Sequence, residues 1–348
     1  MQIASPRLPR WAPGLVGVMA LAVAGLPAIL SGWGVVAWLL AALLVFAVAM
    51  PLWSRLVEGR RAAVDRLVTT LVWASFVFAV SPLIWVLWVV VSQGLPAINV
   101  DFLTTSMLNV IGDEQGGIYH ALLGTLLVTL AATIISVPIG ILTAIYLVEY
   151  GARSRAARTI TFLVDVMTGI PSIVAGLFAL SLFVLIFGPA YRSGFGGAVA
   201  LSLLMIPTVV RSSEEMFRLV PSDLREASYA LGVPNWRTIL RVVLPTAIGG
   251  IVTGIMLGVA RIMGETAPLL LLVGINQRIE FNPFAGTAEQ VPQESLPTFI
   301  FEQFQLAAGN TDSEPFQRAW GAALVLIVII GLLSAVARLI ARFARVRG

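Results

Sequence analysis

Apolar residues run through this chain in eight blocks, at about 12–30, 33–52, 67–92, 118–146, 159–187, 197–213, 245–275 and 317–340. Each is long enough to cross a hydrocarbon core of about 30 Å as a helix. The pattern predicts an all-α polytopic membrane protein with about eight transmembrane helices, each block forming one span. The first block follows Arg7 and Arg10 as a signal peptide would. No clear small-residue cleavage site precedes Trp33, so an uncleaved anchor is expected.

The polar residues between the blocks orient them. Eighteen arginines fall on one side, three (Arg192, Arg278, Arg318) on the other, and Arg261 lies inside a block. Cytoplasmic loops retain arginine, so both termini and the segment 211–244 are expected in the cytoplasm, with 93–117 and 276–316 outside. A linker around residues 53–66 sets off two N-terminal spans. The expected division is a two-helix extension with its linker at 1–66 and a main membrane domain at 67–348. The outer segment 276–316 carries Glu280, Glu289, Glu294, Glu302, Asp312 and Glu314 against Arg278 alone, and Pro297 to Phe301 read as a short half-buried stretch. It can dock a partner, or it can be acidic only because translocated loops lack arginine.

Composition agrees with lipid as the solvent: 58% of the 348 residues are hydrophobic, 11% are charged, and mean hydropathy is +0.94. There is no cysteine, which excludes disulfides and thiolate metal sites, and the single histidine, His120, cannot build a multi-histidine centre. No cofactor or metal is expected. All 22 basic residues are arginine. A phosphate-binding P-loop needs a lysine, so the chain carries no such ATPase site. The pI near 10.1 reflects membrane orientation, and no nucleic-acid partner is expected.

The cytoplasmic segment holds a helix between punctuators: Pro221, Ser222 and Asp223 start it, and Gly232 with Pro234 ends it after about three turns. Leu224, Ala227, Ser228 and Leu231 share one face, which suits a lever gripped by another protein. Glu226-Ala227-Ser228, then Gly232, then Val242 with Leu244-Pro245 resemble the E-A-A-x3-G-x9-I-x-L-P signature of bacterial ABC importer permeases, with serine and valine as the two departures. The resemblance implies that this is the coupling helix seated on a cytoplasmic ATPase, with Glu226, Ala227, Ser228 and Gly232 as coupling residues.

Further stretches narrow it. Val209 to Met216, Ile170 to Phe178, and Arg261-Ile262-Met263-Gly264-Glu265-Thr266-Ala267-Pro268 are similar to the subunit-A permeases of phosphate importers, over about 116–338. This implies a six-helix, MetI-like core in a bacterial inner membrane, a second permease, a homodimeric ATPase, an extracytoplasmic phosphate-binding protein, and phosphate as substrate. The pathway residues it implies are Arg261, Glu265 and Thr266. The other readings are a different oxyanion, the partner-permease role, and an ion-coupled secondary transporter. An enzyme is not expected, because no nucleophile and base are placed together at membrane depth.

Arg261 is 16 residues past Pro245, about 24 Å along a helix, so it is expected well inside its span. A charge there costs roughly 2.5 to 3.5 kcal/mol and needs a partner, and Glu265 is one turn on. Gly250, Gly254, Gly258, Arg261 and Glu265 share an arc of roughly 80°, a face suited to close helix packing. The pair reads either as a structural brace or as an arginine shared between Glu265 and a passing oxyanion. Pro138 and Pro171 are expected to kink or break their helices, Asp165 to be interfacial, and His120 to carry no chemistry.

Overall fold

The structure, a computed structural model, describes residues 8–32, 34–111, 114–151, 154–188, 191–285 and 293–346. Glu289 of the acidic segment and Arg153 lie outside these residues. The described chain is almost wholly helical and divides into two compact units, 1–88 and 89–348.

The first unit contains α1 (Ala12–Ser31), α2 (Val35–Val57) and most of α3 (Arg60–Gly94). The long linker expected at 53–66 is reduced to Glu58 and Gly59. Helical residues continue almost to the turn from both sides, and Gly59, at φ 96°, makes the turn in a region that other residues avoid. Glu58 fastens it. Its carboxylate accepts hydrogen bonds from the Leu8 N–H (2.8 Å), the Ser54 hydroxyl (2.8 Å) and the Arg66 guanidinium (2.9 and 3.0 Å). The hydrogen bonds from Arg66 and the Leu8 N–H hold that carboxyl down at about 2.

The second unit continues with α4 (Val100–Thr104), α5 (Tyr119–Ile145), α6 (Arg155–Thr168), α7 (Ser172–Phe187), α8 (Gly194–Arg218), α9 (Ser222–Ala230), α10 (Asn235–Thr238), α11 (Leu244–Met263), α12 (Ala267–Leu272), α13 (Leu296–Ala307) and α14 (Glu314–Val346). Wide five-residue turns, Tyr146–Tyr150 and Ile239–Val243, prolong α5 and join α10 to α11. Among the described residues seven helices are long and apolar enough to span a membrane, or eight if the bent pair α6 and α7 makes one span. Large apolar side chains on them face outward, such as Trp85 and Leu185, as lipid contact requires.

Hydrocarbon solvates leucine as well as a neighbouring helix does, so helices in lipid associate through close van der Waals packing. The interface of α5 with α8 shows it. Ala121, Gly124, Val128, Ala132, Ser136, Gly140 and Ala144 recur at spacings of three to four along α5, all buried and mostly small. A Cβ on Gly140 would stand 2.6 Å from the Val209 side chain, so the backbones are as close as glycine permits. On α11, Cβ atoms at Gly250 and Gly254 would meet the side chains of Met216 and Ser212 of α8 at 2.0 and 2.4 Å. The glycine face expected to pack does so. A buried cluster including Val128, Leu201, Met205, Ile262, Leu269 and Phe299 ties α5, α8, α11, α12 and α13 together.

Two of the apolar blocks are broken, one at Pro171 as expected and one, at 264–266, where no break was expected. Residues 159–187 form α6 and α7, bent by 108° at the junction. Pro171 disfavours helical backbone at Ile170, and α6 is an amphipathic helix beginning as early as Arg155. Residues 245–275 stop at Met263 and resume at Ala267. Pro268 has no N–H for the Gly264 carbonyl and its ring would strike that group, so the helix cannot run through. Pro138 stays inside α5.

Candidate functional site

The run Asn235–Met263 is a rod of 29 residues, about 43 Å long, and Arg261 stands in its last turn rather than midway. A cation in the last turn suits the negative end of the helix dipole. The expected pairing with Glu265 is not made: among the described residues Arg261 has no ion pair and no side-chain hydrogen bond. The helix ends between them, with the Gly264 N–H donating to the Arg261 carbonyl and the Glu265 N–H to the Ile262 carbonyl, so the i, i+4 register is lost. Arg261 is exposed on the isolated chain, whereas Glu265 and Thr266 are half-buried. Thr266 opens α12, whose Pro268 is seated on α7 at Gly176, where a Cβ would come within 2.7 Å. Thr266, Ala267 and Leu270 face Pro297, Ile300 and Phe301 across an open apolar hollow of about 690 Å³. An accessible guanidinium with a free planar fork is suited to a small oxyanion.

At the opposite end of the rod, α9 lies between Pro221 and Gly232. Gly232 has φ 72°, the left-handed turn that glycine allows after a helix. Glu226 and Ala227 are exposed, as are Leu224 (43%) and Leu231 (83%). The four residues expected to form one face therefore divide: Ser228 turns inward. Its hydroxyl is 2.8 Å from that of Thr238 in α10, a bond that an alanine at the third motif position cannot make. Arg225, not singled out by sequence, is largely buried. It donates to Glu149 (2.9 and 3.2 Å) and to the carbonyls of Val220 (2.7 Å) and Phe217 (2.8 Å).

Asp165 is more than interfacial. It pairs with Arg211 of α8, which also donates to Glu214 (2.8 Å), and Glu214 accepts from Arg218 (2.6 Å). The pair fixes the amphipathic α6 against α8.

His120 also has a defined setting. Its Nε2 is 3.3 Å from Oε2 of Glu294, both side chains being 1% exposed, and that oxygen accepts the Asn276 N–H (3.1 Å). The Leu296 N–H donates to Thr125 of α5 (2.7 Å), and Ser295 and Thr298 cap α13 reciprocally. Arg318 of α14 donates to Gln303 (2.9 Å) and to the Glu114 carbonyl (2.7 Å). The stretch read as half-buried is thus a capped helix locked to α5 and α14. Burial raises the Glu294 carboxyl above the usual range, and burial together with the Glu294 charge raises that of Glu302. The folded chain then holds these protons more tightly than the unfolded chain. The stability these two carboxyls contribute is present at acid pH and is lost as pH rises from the ordinary carboxylate range through the raised values. Glu294→Gln, which mimics the protonated acid among His120, Asn276 and Glu302, is expected to flatten the fall of the thermal midpoint between mildly acidic and mildly alkaline detergent solution. An unchanged pH profile would contradict this.

A multi-span bundle with a helix laid out for a partner and an interrupted span bearing a free arginine has the features of a transport subunit. Residues 136–346 match the family described as binding-protein-dependent transport system inner membrane component. A solved structure of the MetNI methionine ABC transporter, in an inward-facing conformation, shares the fold at TM-score 0.50 and 18% identity over 66% of this chain and 94% of that one. The phosphate transport system permease protein PstA 1 of Mycobacterium tuberculosis (strain H37Rv) is 47% identical over 290 residues, covering 83% of this chain and 90% of the relative. PstA of Mycobacterium leprae is 45% identical (79% and 88% covered), and PstA of Haemophilus influenzae 38% (77% and 90%). The chain belongs to the inner membrane components of binding-protein-dependent transport systems and, within them, to the PstA permeases.

Proposed function

We propose that this chain forms half of the translocation pathway for inorganic phosphate in an ATP-driven importer. The observation that carries the reading is the unpaired, accessible Arg261 beside the break between α11 and α12, in a chain 47% identical to a phosphate transport permease. The open surface around Thr266 and Leu270 is assigned to a second permease, which closes the pathway around the guanidinium. Glu265 is near enough in sequence to compete for the arginine once the partner is in place, which makes anion binding reversible. A weak site releases the ion to the cytoplasm, where a tight one would hold it.

Energy comes from elsewhere, because the chain has no lysine for a P-loop. A homodimeric ATPase is assigned to α9, with Leu224 and Leu231 entering its groove and Glu226, Ala227 and Gly232 setting the approach. An extracytoplasmic phosphate-binding protein delivers substrate to the acidic outer face. Residues 1–66 are assigned as an extension to the permease domain at 67–348. Phosphate uptake into vesicles carrying the complete transporter tests the reading: removal of the ATPase is expected to abolish uptake, and excess sulfate or phosphonate to leave it intact. Sustained uptake without the ATPase would point to ion coupling, and equal competition by sulfate to a broader oxyanion carrier.

A further inference from the structure

We propose that Arg225 is the joint that makes α9 move as one body with the ends of α5 and α8, and that the salt bridge to Glu149 is what links ATP hydrolysis to transport. The inference rests on the importer reading and adds to it a positioning residue that acts through the helices it holds.

The geometry has two attachments. Near its C-terminal end, α9 is held to α10, and so to α11, by the hydroxyl contact of Ser228 with Thr238 at 2.8 Å and by the short link 231–234, whose Val233 N–H donates to the Ser228 carbonyl (3.2 Å). Near its middle, the Arg225 guanidinium reaches three groups at once: the Glu149 carboxylate in the wide turn ending α5, and the carbonyls of Phe217 and Val220 at the end of α8. The Val220 carbonyl has no backbone N–H donor among the described residues, and that of Phe217 takes the guanidinium beside the Val220 N–H (3.3 Å); the positive charge suits this helix end. Arg225 is 17% exposed and Glu149 7%. A planar fork with five N–H donors fits this set of acceptors, whereas lysine, a point donor on a flexible stem, cannot span it.

The consequence is mechanical. Because α5 and α8 are packed backbone to backbone through Gly140, Ala132 and Ser136, a displacement of their ends moves both helices. A push on α9 reaches them only if α9 cannot swivel. With Arg225 in place α9 has side-chain attachments at its middle and near its end, beyond its chain links, and is fixed in orientation. Without it α9 pivots about the Ser228 contact, and the ATPase can cycle while the membrane helices stay where they are.

The test uses the complete transporter in proteoliposomes and reads phosphate moved per ATP hydrolysed. Arg225→Gln and Glu149→Gln are expected to lower that ratio by roughly tenfold or more, the weight of losing one hydrogen bond to a charged group, with hydrolysis continuing. Arg225→Lys is expected to fall between. A role confined to folding would lower the amount of assembled transporter and leave the ratio at the parental value, and that result overturns the proposal. A second measurement needs no variant at Arg225. The chain has no cysteine, so Tyr150→Cys and Asp223→Cys, both at exposed positions, carry a unique pair of spin labels on the two sides of the joint. Their separation is expected to stay the same in nucleotide-free and ATP-bound complex, and a change between the two states overturns the joint. If the parental proteoliposomes show no ATP-dependent uptake at all, the importer reading fails on its own, and the label separation still decides whether α9 and α5 move together.

Discussion

Replacing Arg261 by alanine is expected to lower the initial rate of phosphate uptake about a hundredfold at equal amounts of assembled transporter, and replacing it by lysine about tenfold. A guanidinium offers a carboxylate or phosphate two parallel charge-assisted hydrogen bonds, each contributing roughly 1.5 to 3 kcal/mol. Alanine removes both together with the charge, whereas lysine keeps the charge and loses the fork. Arg261 is free to do this because the helix ends at Met263, which takes Glu265 out of the i, i+4 position it would need to neutralise the arginine permanently. Glu265→Gln should therefore have the smaller effect, mainly on how quickly the anion is released. Radiolabelled phosphate uptake checks all three variants, and parental rates in both Arg261 variants would contradict the role.

Gly124→Leu is expected to prevent accumulation of folded protein, a larger effect on stability than any surface substitution. A Cβ at this position would stand 1.8 Å from the backbone carbonyl of Glu294, a group that cannot swing away as a flexible side chain would. Relief requires moving the segment that leads into α13 off α5. That breaks the Thr125 bond to the Leu296 N–H and disturbs the buried contact of Glu294 with His120. Overpacking alone costs about 1 to 3 kcal/mol, and each buried polar group left without its partner adds about 1 to 3 kcal/mol. Gly124→Ala should give reduced yield and a lowered midpoint, and leucine no monodisperse protein. Parental yield and thermal midpoint for the leucine variant would show that the approach is not as close as described.

Much of this was legible in the residues. Block length gave the spans, because lipid demands a continuous apolar surface, and Pro221 with Gly232 bounded α9 because their backbone requirements are local. The glycines at 250, 254 and 258 marked a packed face for the same reason. Pro171 marked the break at Ile170, but the one at Gly264, signalled by Pro268, was hidden in an apolar stretch: hydropathy does not register a missing N–H, and Pro138 shows that a proline also remains inside a helix. Other features could not be read. Arg225 and Glu149 are 76 residues apart, and their meeting depends on how α5 and α8 end side by side. Glu294 resembled any carboxylate of an acidic loop until the fold placed it 1% exposed beside His120. Ser228 looked like a neutral replacement for alanine until Thr238 stood opposite it.

The account depends on the edge of the break between α11 and α12 lining a water-filled path in the assembled transporter. Because the chain lacks cysteine, Thr266→Cys places a single thiol at that edge. Its modification by a charged, membrane-impermeant thiol reagent should be measured in vesicles containing the complete transporter, with and without phosphate. The predicted result is rapid modification that slows when phosphate is present. A thiol that reacts only with lipid-soluble reagents, at a rate indifferent to phosphate, would contradict the account.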